Sequence, residues 1–484
     1  MSATFGNIKL FCMEKCVDSN PLNALREQSD SACKAGDWAR AARLFEELGL
    51  AFGQAGDIGR ALAAFQRAVA LDPTASSYHC NVAWAYRKLN QPEASIEACR
   101  AALKLDSRNA HARQILGNAL RQTGQFDGAI EQYEYVLKLR PDWAMALNSL
   151  ASVLREIGRR DRAETLLRQA ISTEPENAGA HFNLGLILLE RGEFAAGWEE
   201  FEWRKRVASF DLRLPMEVPI WDGTPLNGKR IFLHSEQGAG DAIQMVRYVP
   251  MVSQRGGKIK LGCQSELIPL FGSIGGVEQF WSGGQSPPDA DVQCSLMSLP
   301  RIFGATLETI PAKAPYLSVD SARKGKWAQR FPAGKLKVGL AWAGRGRHFN
   351  DRFRSIELQR FRDLAATPGV WFLSLQKGEQ AKQINSVSDM SIVDWTNELN
   401  DFADTAALID NLDLVITVDT AVAHLAGAVG KRVWVLLPFV ADWRWMIDRA
   451  DSPWYPTMRL FRQSKLGDWA SVLDQVQLSL RSLL

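Results

Sequence analysis

Apolar positions in the first two hundred residues recur at helical spacing, and the whole pattern repeats every 34 residues. Pro73, Ser107, Pro141 and Pro175 mark the interval, and so do Gly56, Asn90, Gly124, Gly158 and Gly192. Ala61, Ser95, Ala129, Ala163 and Gly197 follow at the same step. A period of this length predicts stacked helix pairs, since one unit cannot bury its apolar face alone. Five units begin near residues 42, 76, 110, 144 and 178. In each, a small residue (Gly49, Ala83, Gly117, Ala151, Gly185) sits mid-way along the first helix, where the second must come close. A larger residue after the turn (Phe65, Cys99, Tyr133, Leu167, Phe201) wedges between helices. The turn glycine caps the first helix, and proline closes the unit where helix cannot continue. Residues 1–41, with GDWARAA near their end, are expected to form N-terminal cap helices.

The period changes after residue 211, and Pro215 and Pro219 mark a linker over 212–228. From Lys229 onward, short apolar runs alternate with helical stretches: KRIFLH, KIKLGC, KVGLAW, VWFLSL, LDLVITV and RVWVLL. Near-continuous apolar strands separated by helices predict doubly wound parallel sheets. A break at FPAGKLK, 331–337, divides them into halves of 229–330 and 331–484, the second ending in a helix. Ligands of such sheets bind beyond the carboxyl ends of strands.

The length of 484 residues asks for more than one core. A formal net charge of +3 gives no case for nucleic acid or an anionic membrane. Seven scattered cysteines without a CxxC pair fit a reducing compartment. The start, MSATFGNIKLFCMEKCVDSN, has no long apolar segment behind a basic flank, and no later run has the length of a membrane span. The expectation is a cytoplasmic protein without an integral membrane segment.

Unusual residues collect at the strand ends. KRIFLH runs into SEQGAGDAIQMVRY, where Gly238 and Gly240 permit a tight turn and Asp241 enters a helix taken to begin at Ala242. KVGLAW runs into AGRGRHFNDRFRSIEL, a basic loop with Arg345, Arg347, Arg352 and Arg354. VWFLSL leads to Gln376 and Lys377, and LDLVITV to DTAVAH, 419–424. On the predicted groove face of the repeats, Arg87, Arg121 and Arg155 stand 34 apart, with Trp84 and Asn118 one turn earlier. They are either solvated arginines or a ladder gripping an extended peptide.

The first half resembles the tetratricopeptide repeat, giving an α-solenoid. The second resembles the GT-B glycosyltransferases, a module of two Rossmann-like halves, on EQGAGDAIQMVRY, FNDRFRSI, DFADTAALI, VDTAVAHLAGAVG and DWRWMIDRADSPWYPTMRLFRQ. The combination resembles bacterial repeat proteins with a heptosyltransferase-like, glycosyltransferase family 9-like domain, and distantly the protein O-linked N-acetylglucosamine transferases. The fold expected is therefore α + α/β. The resemblance implies an inverting, metal-independent transferase with Asp241 as catalytic base and Arg354 facing the donor diphosphate, arginine standing where some relatives have lysine. Asp419, Thr420, Ala421, Val422 and His424 form the implied donor-phosphate loop, with amides at a helix start. Ala421 stands where relatives commonly have glycine. Gln376, Lys377, Asp401 and Asp404 lie near the nucleoside on the same grounds. Read from the residues alone, the alternatives are an N-cap for Asp241, a satisfied core histidine for His424, and, for Asp442–Trp445, stacking on a base or sugar or packing between domains. Asp289 and Asp291 spell DxD, but lie far in sequence from the donor residues, and no metal is expected there.

The implied function is transfer of a sugar from a nucleotide donor to an acceptor, a protein recruited by the repeats, bacterial relatives being implicated in modifying flagellin or other surface proteins. The alternatives are a lipid-linked or polysaccharide acceptor, and an inactive nucleotide-binding scaffold.

Overall fold

A computed structural model describes residues 19–207, 210, 216–284, 286–345 and 351–484. Eleven helices come first: α1 (Ser19–Lys34), α2 (Trp38–Gln54), α3 (Ile58–Leu71), α4 (Ser76–Lys88), α5 (Pro92–Leu105), α6 (Ala110–Gln122), α7 (Phe126–Leu139), α8 (Ala144–Glu156), α9 (Arg160–Thr173), α10 (Ala178–Arg191) and α11 (Phe194–Phe201). Four of the five units pair their two helices as the period predicts, α2 with α3, α4 with α5, α6 with α7 and α10 with α11, and α1 packs on α2. Gly117 shows why a small residue stands mid-helix: a Cβ there would meet the Tyr133 ring of α7 at 2.6 Å. Between paired helices the chain passes through the left-handed region, at Gly124 with φ of 80° and, in the unit without a turn glycine, at Asn90 with φ of 59°.

Packing divides the chain into two compact units. The first runs to Leu154 and takes in Ser172–Glu174; the second holds Arg155–Ile171 and Pro175–Leu484. Thus α10, α11 and most of α9 belong to the same body as the sheets. Leu189, Phe194, Trp198 and Phe201 enter its core, and the Trp198 ring meets Trp443 edge-on at 5.2 Å. Arg204, fully buried just after α11, bonds Glu202 at 2.6 Å, Glu236 at 2.8 and 3.0 Å and Ser298 at 3.0 Å.

Two all-parallel sheets follow. The first, in order β3-β2-β1-β4, comprises β1 (Arg230–His234), β2 (Lys258–Gly262), β3 (Val277–Trp281) and β4 (Val292–Ser295). The second, in order β10-β9-β8-β5-β6-β7, comprises β5 (Leu336–Ala341), β6 (Val370–Ser374), β7 (Ile392–Asp394), β8 (Leu414–Val418), β9 (Val433–Leu437) and β10 (Met458–Arg462). All six predicted strands form; β3, β4, β7 and β10 carry no strong apolar run and are additional. The α-helices of seven residues or more among the described residues of this half are α12 (Ala239–Met245), α13 (Ser321–Ala328), α14 (Phe402–Asp410), α15 (Ala421–Ala428) and α16 (Trp469–Arg481). Among the described residues no helix is long and apolar enough to cross a membrane.

Candidate active site

The site is built where α12, leaving β1, meets α15, leaving β8. Neither Gly238 nor Gly240 adopts positive φ, so the turn itself does not require them. Gly240 is needed for approach: a Cβ would lie 2.9 Å from His424 Cδ2 and 3.4 Å from Ala421 Cα. The helix begins at Ala239 and not Ala242, which puts Asp241 in its first turn with Gly238 as N-cap. Asp241 Oδ2 accepts the Gly238 amide at 2.8 Å, while Oδ1 pairs with Arg444 Nη2. The carboxylate therefore does cap the helix, and it also holds a cation across from the second sheet.

On the facing side, α15 carries the loop singled out in the sequence. Thr420 is its N-cap, and its hydroxyl accepts the Val422 amide at 3.3 Å. Of the three amides expected to point at a phosphate, that of Val422 is thus already engaged. His424 is buried, with Nδ1 2.9 Å from the Tyr455 hydroxyl and its ring 5.4 Å from Trp445. Burial first, and Arg444 second, lower its pKa to about 3, so the imidazole is neutral at ordinary pH. The structure supports the core reading of this residue, placed with one ring edge toward Gly240. Half-buried Asp419 is pushed up to about 6 by desolvation first and by Asp442 second, with Arg354 and Arg444 opposing. Asp442, despite its own desolvation, is held below the usual carboxylate range by Arg444.

Arg354 lies in the same charged group. Its Nε is 3.3 Å from Asp351 Oδ1, and both side chains rest on Gly344, where a Cβ would meet Arg354 Nη2 at 2.7 Å and Nε at 2.9 Å. Arg345 is exposed, Arg352 lies over the Phe353 ring at 4.4 Å, and Arg347 lies outside the described residues, as do Phe349 and Asn350 of the FNDRFRSI stretch.

Other expected donor residues are engaged in holding the fold. Gln376 Oε1 accepts the amides of Trp342 and Ala343 at 3.0 and 2.8 Å, and its Nε2 donates to the Ala343 and Lys377 carbonyls at 3.0 and 3.1 Å. That buried amide staples the ends of β5 and β6, leaving no donor or acceptor for a nucleoside. Lys377 Nζ donates to the Leu399 carbonyl at 2.5 Å. Asp401 and Asp404 both take Arg323 of α13, at 2.8 and 2.7 Å. Trp443 and Trp445 are buried at 2% and 0% exposure, so packing and not base stacking is their role. Asp289 and Asp291 pair with Arg230, and Asp289 also with Lys260.

The repeat residues are engaged as well. Trp84 packs edge-on to Phe65 at 6.4 Å, and Asn118 accepts the Tyr133 hydroxyl at 2.8 Å. Arg87 is half-buried and held below its usual basicity by desolvation; Arg121 is half-buried. Arg155, in the second unit, bonds buried Glu190 at 2.7 Å, as does Arg160. The ladder therefore loses its third rung, because that guanidinium neutralises an internal carboxylate.

Sequence reasoning took Asp442–Trp445 only for stacking or packing, so it missed the ionic role of Asp442 and Arg444, and it missed Gln244 altogether. The signal for the first two was an alternation of charge and tryptophan in DWRW, soon after β9, which placed charges at a strand end.

Comparison with known proteins finds repeat models in the first half of the chain and a transferase model in the second. Tetratricopeptide-repeat models match residues 46–110 and 149–201, and a second repeat model matches 117–158. The model described as glycosyltransferase family 9 (heptosyltransferase) matches 358–436, which spans β6 to most of β9 and includes the Asp419–His424 loop. Protein FlbA of Caulobacter vibrioides is 29% identical over 334 residues, 62% of this chain and 54% of that protein. The chain thus spans about half the length of the curated relative it matches. Among solved structures, a crystal structure of MamA is 24% identical, covering 33% of this chain and 96% of its own, with a TM-score of 0.29. PilF of Pseudomonas aeruginosa is 16% identical, covering 45% and 88%, with a TM-score of 0.34.

Proposed function

We propose that this chain, in which tetratricopeptide repeats precede a glycosyltransferase family 9 segment, transfers a sugar from a nucleotide donor to a protein acceptor without a metal, with inversion at the anomeric carbon. The observation that carries the reading is the meeting of Asp241 with the Asp419–His424 loop through Gly240, beside Arg354 and Arg444. The Asp241 carboxylate supplies a proton acceptor for the attacking hydroxyl, and the Asp419–His424 loop with Arg354 supplies positive charge for the departing diphosphate, Arg444 being spent on Asp241, Asp442 and Gln244. The repeats supply a protein-binding array, which favours a polypeptide acceptor over a lipid-linked or polysaccharide one.

Isothermal titration with UDP, ADP, GDP and CMP tests donor binding, and micromolar binding to one of them is expected. Binding to none would leave a scaffold. Intact-protein mass spectrometry of candidate acceptors co-expressed with the chain would then show a mass increment of one sugar if the acceptor is protein; increments only on glycan would overturn that part.

Two further outcomes follow from the geometry. Gly344→Ala forces the Arg354 side chain off its seat, and the loss of one charge-assisted contact, about 1.5 kcal/mol, weakens nucleotide binding roughly tenfold. The buried Asp351 carboxylate must shift with Arg354, so a lower thermal midpoint is expected alongside the weaker binding; unchanged affinity would exclude Arg354 from the donor site. Asp419 gives a pH dependence. Its carboxyl is neutral below about 6 and charged above, and the charged form repels an anionic donor. Titration with a nucleotide-diphosphate sugar, whose esterified phosphates keep their charge over this range, should show affinity rising as pH falls through about 6, and Asp419→Asn should flatten that profile. A profile as steep in Asp419→Asn as in the parent would refute it.

A further inference from the structure

We infer that Arg444 is a positioning residue, a clasp that sets Asp241 against the donor-side half; the inference rests on the transferase reading above. Every guanidinium nitrogen of Arg444 is committed. Nη2 pairs with Asp241, Nη1 with Asp442 Oδ1 at 2.7 Å, and Nε with Gln244 Oε1 at 2.5 Å. The side chain is 7% exposed, and Gln244 is fully buried. Asp241 and Gln244 stand three residues apart on α12 and so share a face. Asp442 and Arg444 belong to the segment after β9. One arginine therefore ties the acceptor-side helix to the donor-side half, at the point where Gly240 lets α12 come against α15.

The arrangement calls for a planar fork. A guanidinium can reach three acceptors lying in different directions while keeping its plane; an ammonium on a flexible stem would satisfy them only as a point charge. Both oxygens of Asp241 are located, one by the Gly238 amide and the other by Arg444, so the carboxylate is held in one orientation for an incoming hydroxyl. A displacement of about 1 Å at such a group is worth about a hundredfold in rate.

The test uses the full chain with Arg444→Lys, Arg444→Gln, Asp241→Asn and the Asp241→Asn/Arg444→Gln pair. Three quantities are measured: urea unfolding, binding of UDP, ADP, GDP and CMP, and the rate at which the matching nucleotide sugar releases its nucleotide, as a function of pH. Both Arg444 variants are expected to bind nucleotide like the parent and to turn over about a hundredfold more slowly. In Arg444→Gln the acid limb of the rate profile should move to higher pH, since the base loses its neighbouring cation, whereas Arg444→Lys should leave it in place. The two sites should couple by about tenfold in the unfolding equilibrium constant.

Parent-like turnover in either variant, or additive unfolding effects in the pair, overturns the clasp. Should Arg444→Gln fail to fold, Arg444→Lys decides alone. A parent that turns over, loses turnover in Asp241→Asn and keeps it in Arg444→Lys removes the clasp but keeps the transferase. A parent that binds none of the four nucleotides removes both.

Discussion

Asp241→Asn is expected to lower sugar transfer about a thousandfold while nucleotide binding stays at the parent value. Asparagine is isosteric, and its carbonyl can still accept the Gly238 amide, so the first turn of α12 keeps its cap. On the proposed mechanism, what disappears is the ability to take a proton from the acceptor hydroxyl, together with the ion pair to Arg444. Neither is needed to hold a nucleotide on the second sheet. Initial rates at saturating donor and a titration of the same sample separate the two effects. Full transfer by the asparagine variant would remove Asp241 from the chemistry and leave it a helix cap.

The second large effect concerns stability. Arg204→Ala should destabilise the second unit by about 3–5 kcal/mol, read as a lower urea midpoint. Arg204 is fully buried and faces two carboxylates, Glu202 and Glu236, of which Glu236 is only 5% exposed. Removing the cation strands Glu236 without a partner. Replacing Arg204 by methionine together with Glu236→Gln should recover much of the loss, because no uncompensated charge is then buried. If that pair is as unstable as Arg204→Ala, packing and not charge accounts for the effect. Glu236 lies five residues before Asp241, so the same variants also report whether loosening that loop disturbs turnover.

Much of this architecture is legible in the chain because it is written locally. A 34-residue period states its own helix pairs, down to Gly117 seating Tyr133, and six apolar runs state six strands. β3 and β7 escape notice for physical reasons. VEQFW is only partly buried, and IVD is three residues long, so neither needs a continuous apolar run. The site was half legible. Asp241 and the Asp419–His424 loop stand beside glycines and small residues that betray close backbone approach. The partner of Asp241 does not, since Arg444 is 203 residues away and only the packing of two sheets joins them. Gln376 misled for the opposite reason: a glutamine at a strand end looks available for a ligand, and only the fold shows its amide closed on two backbone strands.

The sharing of one core by α10, α11 and the sheets has a consequence for how such chains are assembled over time. The sheet-bearing half severed after residue 211 would leave Trp443 and Trp454 facing water in place of Phe194 and Trp198. Such an apolar wound promotes aggregation. The final repeat is therefore expected to travel with the sheets as one body. The first three repeats, which lie wholly in the first unit, are the ones expected to be gained, lost or exchanged.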